Sequence, residues 1–74
     1  MVYLVKTTKD GEVRQFTTKL EAKGYVSEKI EETESFFLAC LKEPIDPNAP
    51  IEFRQFNGKG KKAEDKARQF IDDA

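Results

Sequence analysis

Six stretches of the chain carry a regular pattern of apolar and polar positions. "VYLVKTT" (2–8) is β-branched and aromatic and predicts a strand. "KDGE" follows, and Asp10-Gly11 predicts a hairpin turn because both residues tolerate positive φ. The returning strand runs over 12–18, around "VRQFTT". At Thr18 the period lengthens. "TKLE" spells a capping box, in which Thr18 accepts from the backbone of Glu21 and Glu21 reaches back. Ala22, Val26 and Ile30 then recur every fourth residue, the stripe of a helix over 19–32. Gly24 in its interior weakens that helix by up to about 1 kcal/mol relative to Ala. "GYVSEKI" as a strand is the competing reading.

The second half repeats the order. "SFFLACLK" (35–42) is apolar at both alternating sets of positions and predicts a central strand covered on both faces. "EPIDPNAP" (43–50) holds all three prolines and predicts a stiff loop. "IEFRQFN" (51–57) alternates as a strand, "GKGKK" (58–62) is a turn, and Ala63, Ala67, Phe70 and Ile71 form the stripe of a helix over 62–73. Val13-Arg14-Gln15-Phe16 matches Phe53-Arg54-Gln55-Phe56 at an offset of 40, and Ala22, Val26 and Ile30 match Ala63, Ala67 and Ile71 at 41. One extra residue in the second turn accounts for the slip. The expected fold is therefore α+β: a ββα-ββα pseudo-repeat forming a four-stranded, mainly antiparallel sheet with two helices on one face. The expected organisation is one domain, 1–74, with half-repeats at about 1–33 and 34–74.

Composition narrows the function. At 74 residues the core is thin. Cys40 is the sole cysteine and lies in "FFLACL", so no intrachain disulfide forms and the thiol reads as a small core hydrophobe. No secretory leader opens the chain and no apolar run is long enough to span a bilayer, so the expected setting is a soluble, cytoplasmic, reducing one without a membrane. Charged residues make up 36% of the chain, yet the net charge is −1, which argues against a dedicated nucleic-acid coat.

Catalysis finds little support. There is no histidine, the commonest general base, and with one cysteine no zinc ligand set can be drawn. The acidic run "SEKIEETE" (27–34) lacks calcium-loop spacing and reads as a solvated helix end, and Asp46 with Asn48 makes at most a weak cation contact. No cofactor is expected, and no stretch spells a family motif.

Two candidate surfaces emerge. Lys59, Lys61 and Lys62 cluster at the start of the last helix, where free N–H groups and the helix dipole favour an anion. The spacing is no phosphate-binding loop, and Glu64 and Asp65 follow at once. The second surface follows from strand alternation. If the helices cover the Val13/Phe53 face, Arg14, Phe16, Arg54 and Phe56 lie on the open face as a protein-binding patch. The opposite facing puts both phenylalanines in the core. The expected function is a small, non-enzymatic binding or regulatory protein that acts on another protein, with a homodimer as a further possibility. The alternative is a nucleic-acid binder using Lys59, Lys61 and Lys62.

Overall fold

The computed structural model describes residues 1–7, 11–32, 34–46, 48–57 and 60–74. The elements run β1 (Val2–Thr7), β2 (Val13–Phe16), α1 (Lys19–Lys29), β3 (Ser35–Leu41), β4 (Arg54–Asn57) and α2 (Lys61–Asp73). The fold class is α+β. The four strands form one sheet in the order β2-β1-β3-β4, and all three pairings are antiparallel. β1 and β3 are thus central, while β2 and β4 are the edges.

Local chemistry sets the boundaries. β2 stops at Phe16 because Thr17 and Thr18 turn away to start the helix. Thr18 adopts extended dihedrals, φ −124° and ψ 150°, and its Oγ1 accepts from the Glu21 backbone N–H at 3.2 Å. The reciprocal half of the box differs from expectation: the Thr18 hydroxyl donates to Glu21 Oε1 at 3.0 Å. Residues 24–30 are helical or helix-capping, which excludes the strand reading. The helix ends at Lys29 and not at residue 32. Glu31, Glu32 and Glu34 would bring carboxylates to the negative end of its dipole, and Lys29 Nζ instead meets Glu32 Oε2 at 3.2 Å.

The second half also departs from the expected bounds. Residues 51–53 are not strand, and β4 begins only at Arg54. Pro50 lacks an N–H for a ladder, and Phe53 packs instead against Val2, Leu4 and Ala39. α2 starts at Lys61, one residue earlier than expected, after Gly60 at φ 93°. That left-handed conformation costs glycine nothing and strains other residues. The turn expected at Asp10-Gly11 lies partly outside the described residues. Gly11 itself sits at φ 67°, and its N–H donates to the Thr7 carbonyl at 3.1 Å.

Alternation sorts the strand residues into two clusters. Tyr3, Val5, Phe36 and Leu38 form one buried cluster with Ala22, Val26 and Ile30 of the first helical segment and Ala63, Ala67 and Ile71 of α2. Six of the seven residues of the two expected helix stripes are in it, and the seventh, Phe70, is partly buried against it. Val2, Leu4 and Ala39, the alternate positions, form a second cluster with Leu41 and Phe53 against it. This explains why "SFFLACL" is apolar at both sets of positions. Polar links tie α1 to α2. Arg68 donates to the Lys23 carbonyl and to Ser27 Oγ, while Lys23 Nζ meets Asp72 Oδ1 at 2.8 Å.

Candidate binding groove beside the β4 edge

The four residues of the expected Arg/Phe patch are not brought together. Arg14 and Phe16 lie on β2 and Arg54 and Phe56 on β4, at opposite edges of the sheet. Their facing is also the reverse of the open-face arrangement. Phe16 stands opposite Tyr3 and its ring centroid is 5.3 Å from Tyr25 of α1. Phe56 stands opposite Phe36 and is 5.4 Å from Phe70 of α2. Both phenylalanines are half-buried against the larger cluster, and Val13 is left 48% exposed. Burying two aromatic rings outweighs keeping Val13 covered, because aromatic side chains carry the larger apolar area.

The two edges differ in charge. At β2, Arg14 is engaged by Glu12 at 3.5 Å, and Lys29 Nζ lies 5.8 Å from the Tyr25 ring centroid. At β4, the Arg54 guanidinium lies 5.6 Å from the Phe56 ring centroid and 5.8 Å from that of Phe70. Such cation–π contact holds the guanidinium over the aromatic pair and contributes about 0.5–1 kcal/mol at an exposed site. Beside it runs an open groove of about 560 Å³, lined by Arg54, Phe56, Lys66, Gln69, Phe70 and Asp73 with Ala74. Neither Arg54 nor Lys66 has a carboxylate partner among the described residues. The groove's one acidic side chain, Asp73, accepts from Gln69 Nε2 at 2.8 Å.

Of the basic turn, Lys59 lies outside the described residues. Lys61 and Lys62 are exposed at the start of α2. Lys61 is committed to its own helix, with Nζ 3.3 Å from Glu64 Oε1 and 3.5 Å from Asp65 Oδ1. Those contacts raise the Lys61 pKa, and the Ser27 hydroxyl together with Lys61 lowers that of Glu64. Lys62 has no such partner among the described residues and lies one turn before Lys66 on the same helix face.

Cys40 is half-buried against the larger cluster. Burial pushes its thiol above the usual range, with Lys19 opposing weakly, so it favours the un-ionised form over a nucleophilic thiolate. Among the described residues, no group of three or more His, Cys, Asp or Glu is placed to hold a metal ion, and no helix is long and apolar enough to cross a membrane.

Sequence reasoning picked out Arg54 and Phe56 but missed Lys66, Gln69 and Phe70 as their neighbours. The signal was present in α2: Lys62, Lys66 and Asp73 recur at helical spacing with Phe70, at the border of the apolar stripe. Compared with protein-family models, curated proteins and solved structures, the chain matches none.

Proposed function

We propose that this chain is a small non-enzymatic module that acts by binding another protein, and that the β4 edge with its adjoining groove is the docking place. One observation carries the reading: an open sheet edge borders a groove that combines aromatic rings with cations that have no carboxylate partner among the described residues. Edge strands present unpaired backbone groups to a partner chain, and Arg with aromatic residues is the enriched chemistry of interfaces. The absence of histidine from the sequence and the raised thiol pKa of Cys40 support a non-enzymatic role, and a sole cysteine that forms no intrachain disulfide fits a reducing, cytoplasmic setting.

The architecture behind this reading is a pair of ββα halves with both helices on one face, related by an approximate two-fold axis. The strand registers support it. Tyr3 opposes Phe16 as Phe36 opposes Phe56, and Val5 opposes Arg14 as Leu38 opposes Arg54. Val5 and Leu38 then oppose each other, as residues on such an axis must. Contacts between the helices agree. Lys23 with Arg68 and Ser27 with Glu64 exchange under the same 41-residue offset that relates the two apolar stripes.

The test is a photo-crosslinking residue at Gln69, with one at exposed Glu28 of α1 as control, in host lysate with and without nuclease treatment. Protein adducts specific to position 69 are expected. Adducts at both positions alike, or adducts abolished by nuclease, contradict the reading, and the second outcome favours nucleic acid through the lysine turn. A second copy of the chain is a further candidate for the same edge. Sedimentation at high micromolar concentration distinguishes a homodimer from a monomer.

A further inference from the structure

We infer that the occupant of the β4 groove is an extended, acidic peptide segment added to the sheet as a fifth strand. The inference rests on the protein-binding reading above and names the chemistry of the partner.

Three features of the groove converge on that occupant. Geometry comes first. β4 ends the sheet, so its outer side is free to continue the ladder, and α2 runs beside it to form the other wall. A groove between an edge strand and a helix fits a chain in extended conformation, whose backbone pairs with the edge and whose alternate side chains enter the groove. The lining residues supply matching contacts. The Phe56 and Phe70 rings give an apolar floor for one side chain, and Arg54 and Lys66 flank it.

Charge decides the character of the peptide. Most of the described cations in the helices are already engaged. Lys23 meets Asp72, Lys29 meets Glu32, Lys61 meets Glu64 and Asp65, and Arg68 donates to Ser27 and the Lys23 carbonyl. Arg54 and Lys66, which line the groove, and Lys62, one turn before Lys66 on the same helix, have no carboxylate partner among the described residues. Asp73 is held by Gln69. A carboxylate-bearing segment therefore finds two cations in the groove without a carboxylate partner among the described residues, with Lys62 one turn further along α2, a complementarity that also speeds encounter.

The other edge provides an internal comparison. By the 41-residue offset between the helices, the positions of Lys62 and Lys66 correspond to Glu21 and Tyr25 on α1. Glu21 is bound up in the helix cap, and Arg14 is neutralised by Glu12. Among the described residues, the β2 edge has a comparable aromatic pair without a cation on it that lacks a carboxylate partner. The acidic segment is thereby assigned to β4.

A single-stranded nucleic acid would also seek cations beside aromatic rings, but it needs ring faces on which bases can stack. Here Phe56 and Phe70 pack on each other and the Arg54 guanidinium stacks over both. With the guanidinium over them, the rings offer contact to one aliphatic side chain beside Arg54, and Arg54 itself meets a carboxylate, an arrangement that does not suit base stacking.

The experiment selects binders to the intact chain from a displayed random dodecapeptide library and measures the recovered peptides by titration. A dT15 oligonucleotide is titrated in parallel. The expected peptides are rich in Asp and Glu, alternate with β-branched residues, and weaken as salt rises. Arg54→Glu with Lys66→Glu should weaken them by about tenfold or more, as expected for reversing charge beside a charged ligand. Lys66→Glu and Lys62→Glu are made singly as well, since both are exposed and leave the Arg54 stack intact. Arg14→Glu at the other edge should change affinity less than about twofold, because exposed pairs far from the contact contribute little. Neutral or basic peptides, or affinity unchanged by every β4-side variant, overturn the acidic-strand inference but leave protein binding standing. Tight dT15 binding lost in the same variants overturns it in favour of nucleic acid. Recovery of no peptide, together with no position-specific protein adduct at Gln69, overturns the protein-binding reading itself.

Discussion

Leu38→Ala is the sharpest test of how this sheet is held against its helices. Leu38 is 1% exposed, stands opposite Val5 at the centre of the sheet, and belongs to the cluster that includes residues of both helices. Removing a buried leucine side chain costs about 2–5 kcal/mol, the larger values occurring where neighbours cannot collapse into the cavity. Several neighbours in the cluster are Ala22, Ala63 and Ala67, whose methyl groups cannot reach across a gap. Val5 and Phe36 are pinned by backbone pairing. A loss of about 3–4 kcal/mol is therefore expected, in the upper half of that range. At about 0.05–0.15 kcal/mol per residue, a chain of 74 residues carries roughly 4–11 kcal/mol in total. The substitution removes roughly a quarter of that or more. Urea denaturation followed by circular dichroism reads the change as a lower midpoint at unchanged slope. Leu38→Val, which leaves a smaller cavity, should lose about 1 kcal/mol and covers the case in which the alanine variant is unfolded. Leu20→Ala is the control, because Leu20 is 80% exposed and should shift stability by less than about 0.5 kcal/mol. If Leu38→Ala costs under about 1 kcal/mol, or no more than Leu20→Ala, the packing account is wrong.

Gly24→Ala should stabilise the chain by about 0.5–1 kcal/mol, since Gly24 is exposed within α1 and an added Cβ meets nothing within 4 Å. Thermal denaturation checks it, and a lower midpoint would mean that α1 does not continue through residue 24. Asp72 and Glu64 both have lowered pKa values, Asp72 chiefly through Lys23 and Glu64 chiefly through Ser27 and Lys61. Their stabilising effect is present above the ordinary carboxylate range, about pH 4. It is lost as pH falls through the lower folded-state values. Asp72→Asn should therefore flatten the drop in melting temperature below about pH 4, and an unchanged acid limb would show that the Lys23 contact is not formed in solution.

Much of the fold was legible because local pattern and tertiary demand agree. Ala22/Val26/Ile30 and Ala63/Ala67/Ile71, each set spaced four residues apart, are buried throughout, and Thr18 caps the helix that its spacing announced. What was not legible depended on contacts far apart in sequence. The facing of β2 is ambiguous from its residues alone, since each side of "VRQF" offers one apolar residue and one polar residue. Tyr25 and Phe70 settle it by drawing in Phe16 and Phe56. Phe53 reads as strand by alternation, yet it leaves the ladder to cover Val2, Leu4 and Ala39, a second cluster that no local signal requires. The groove was half visible. Arg54 and Phe56 stood out as residue types, but their meeting with Lys66 and Phe70 depends on where α2 crosses the sheet edge.

Amide hydrogen exchange tests the central claim most directly, comparing the free chain with the chain saturated by a recovered acidic peptide. A fifth strand on β4 should slow exchange within Arg54–Asn57 while Val13–Phe16 at the opposite edge stays as it was. Slowed exchange at Val13–Phe16 with β4 unchanged, or slowing confined to the start of α2 around Lys61 and Lys62, would contradict it.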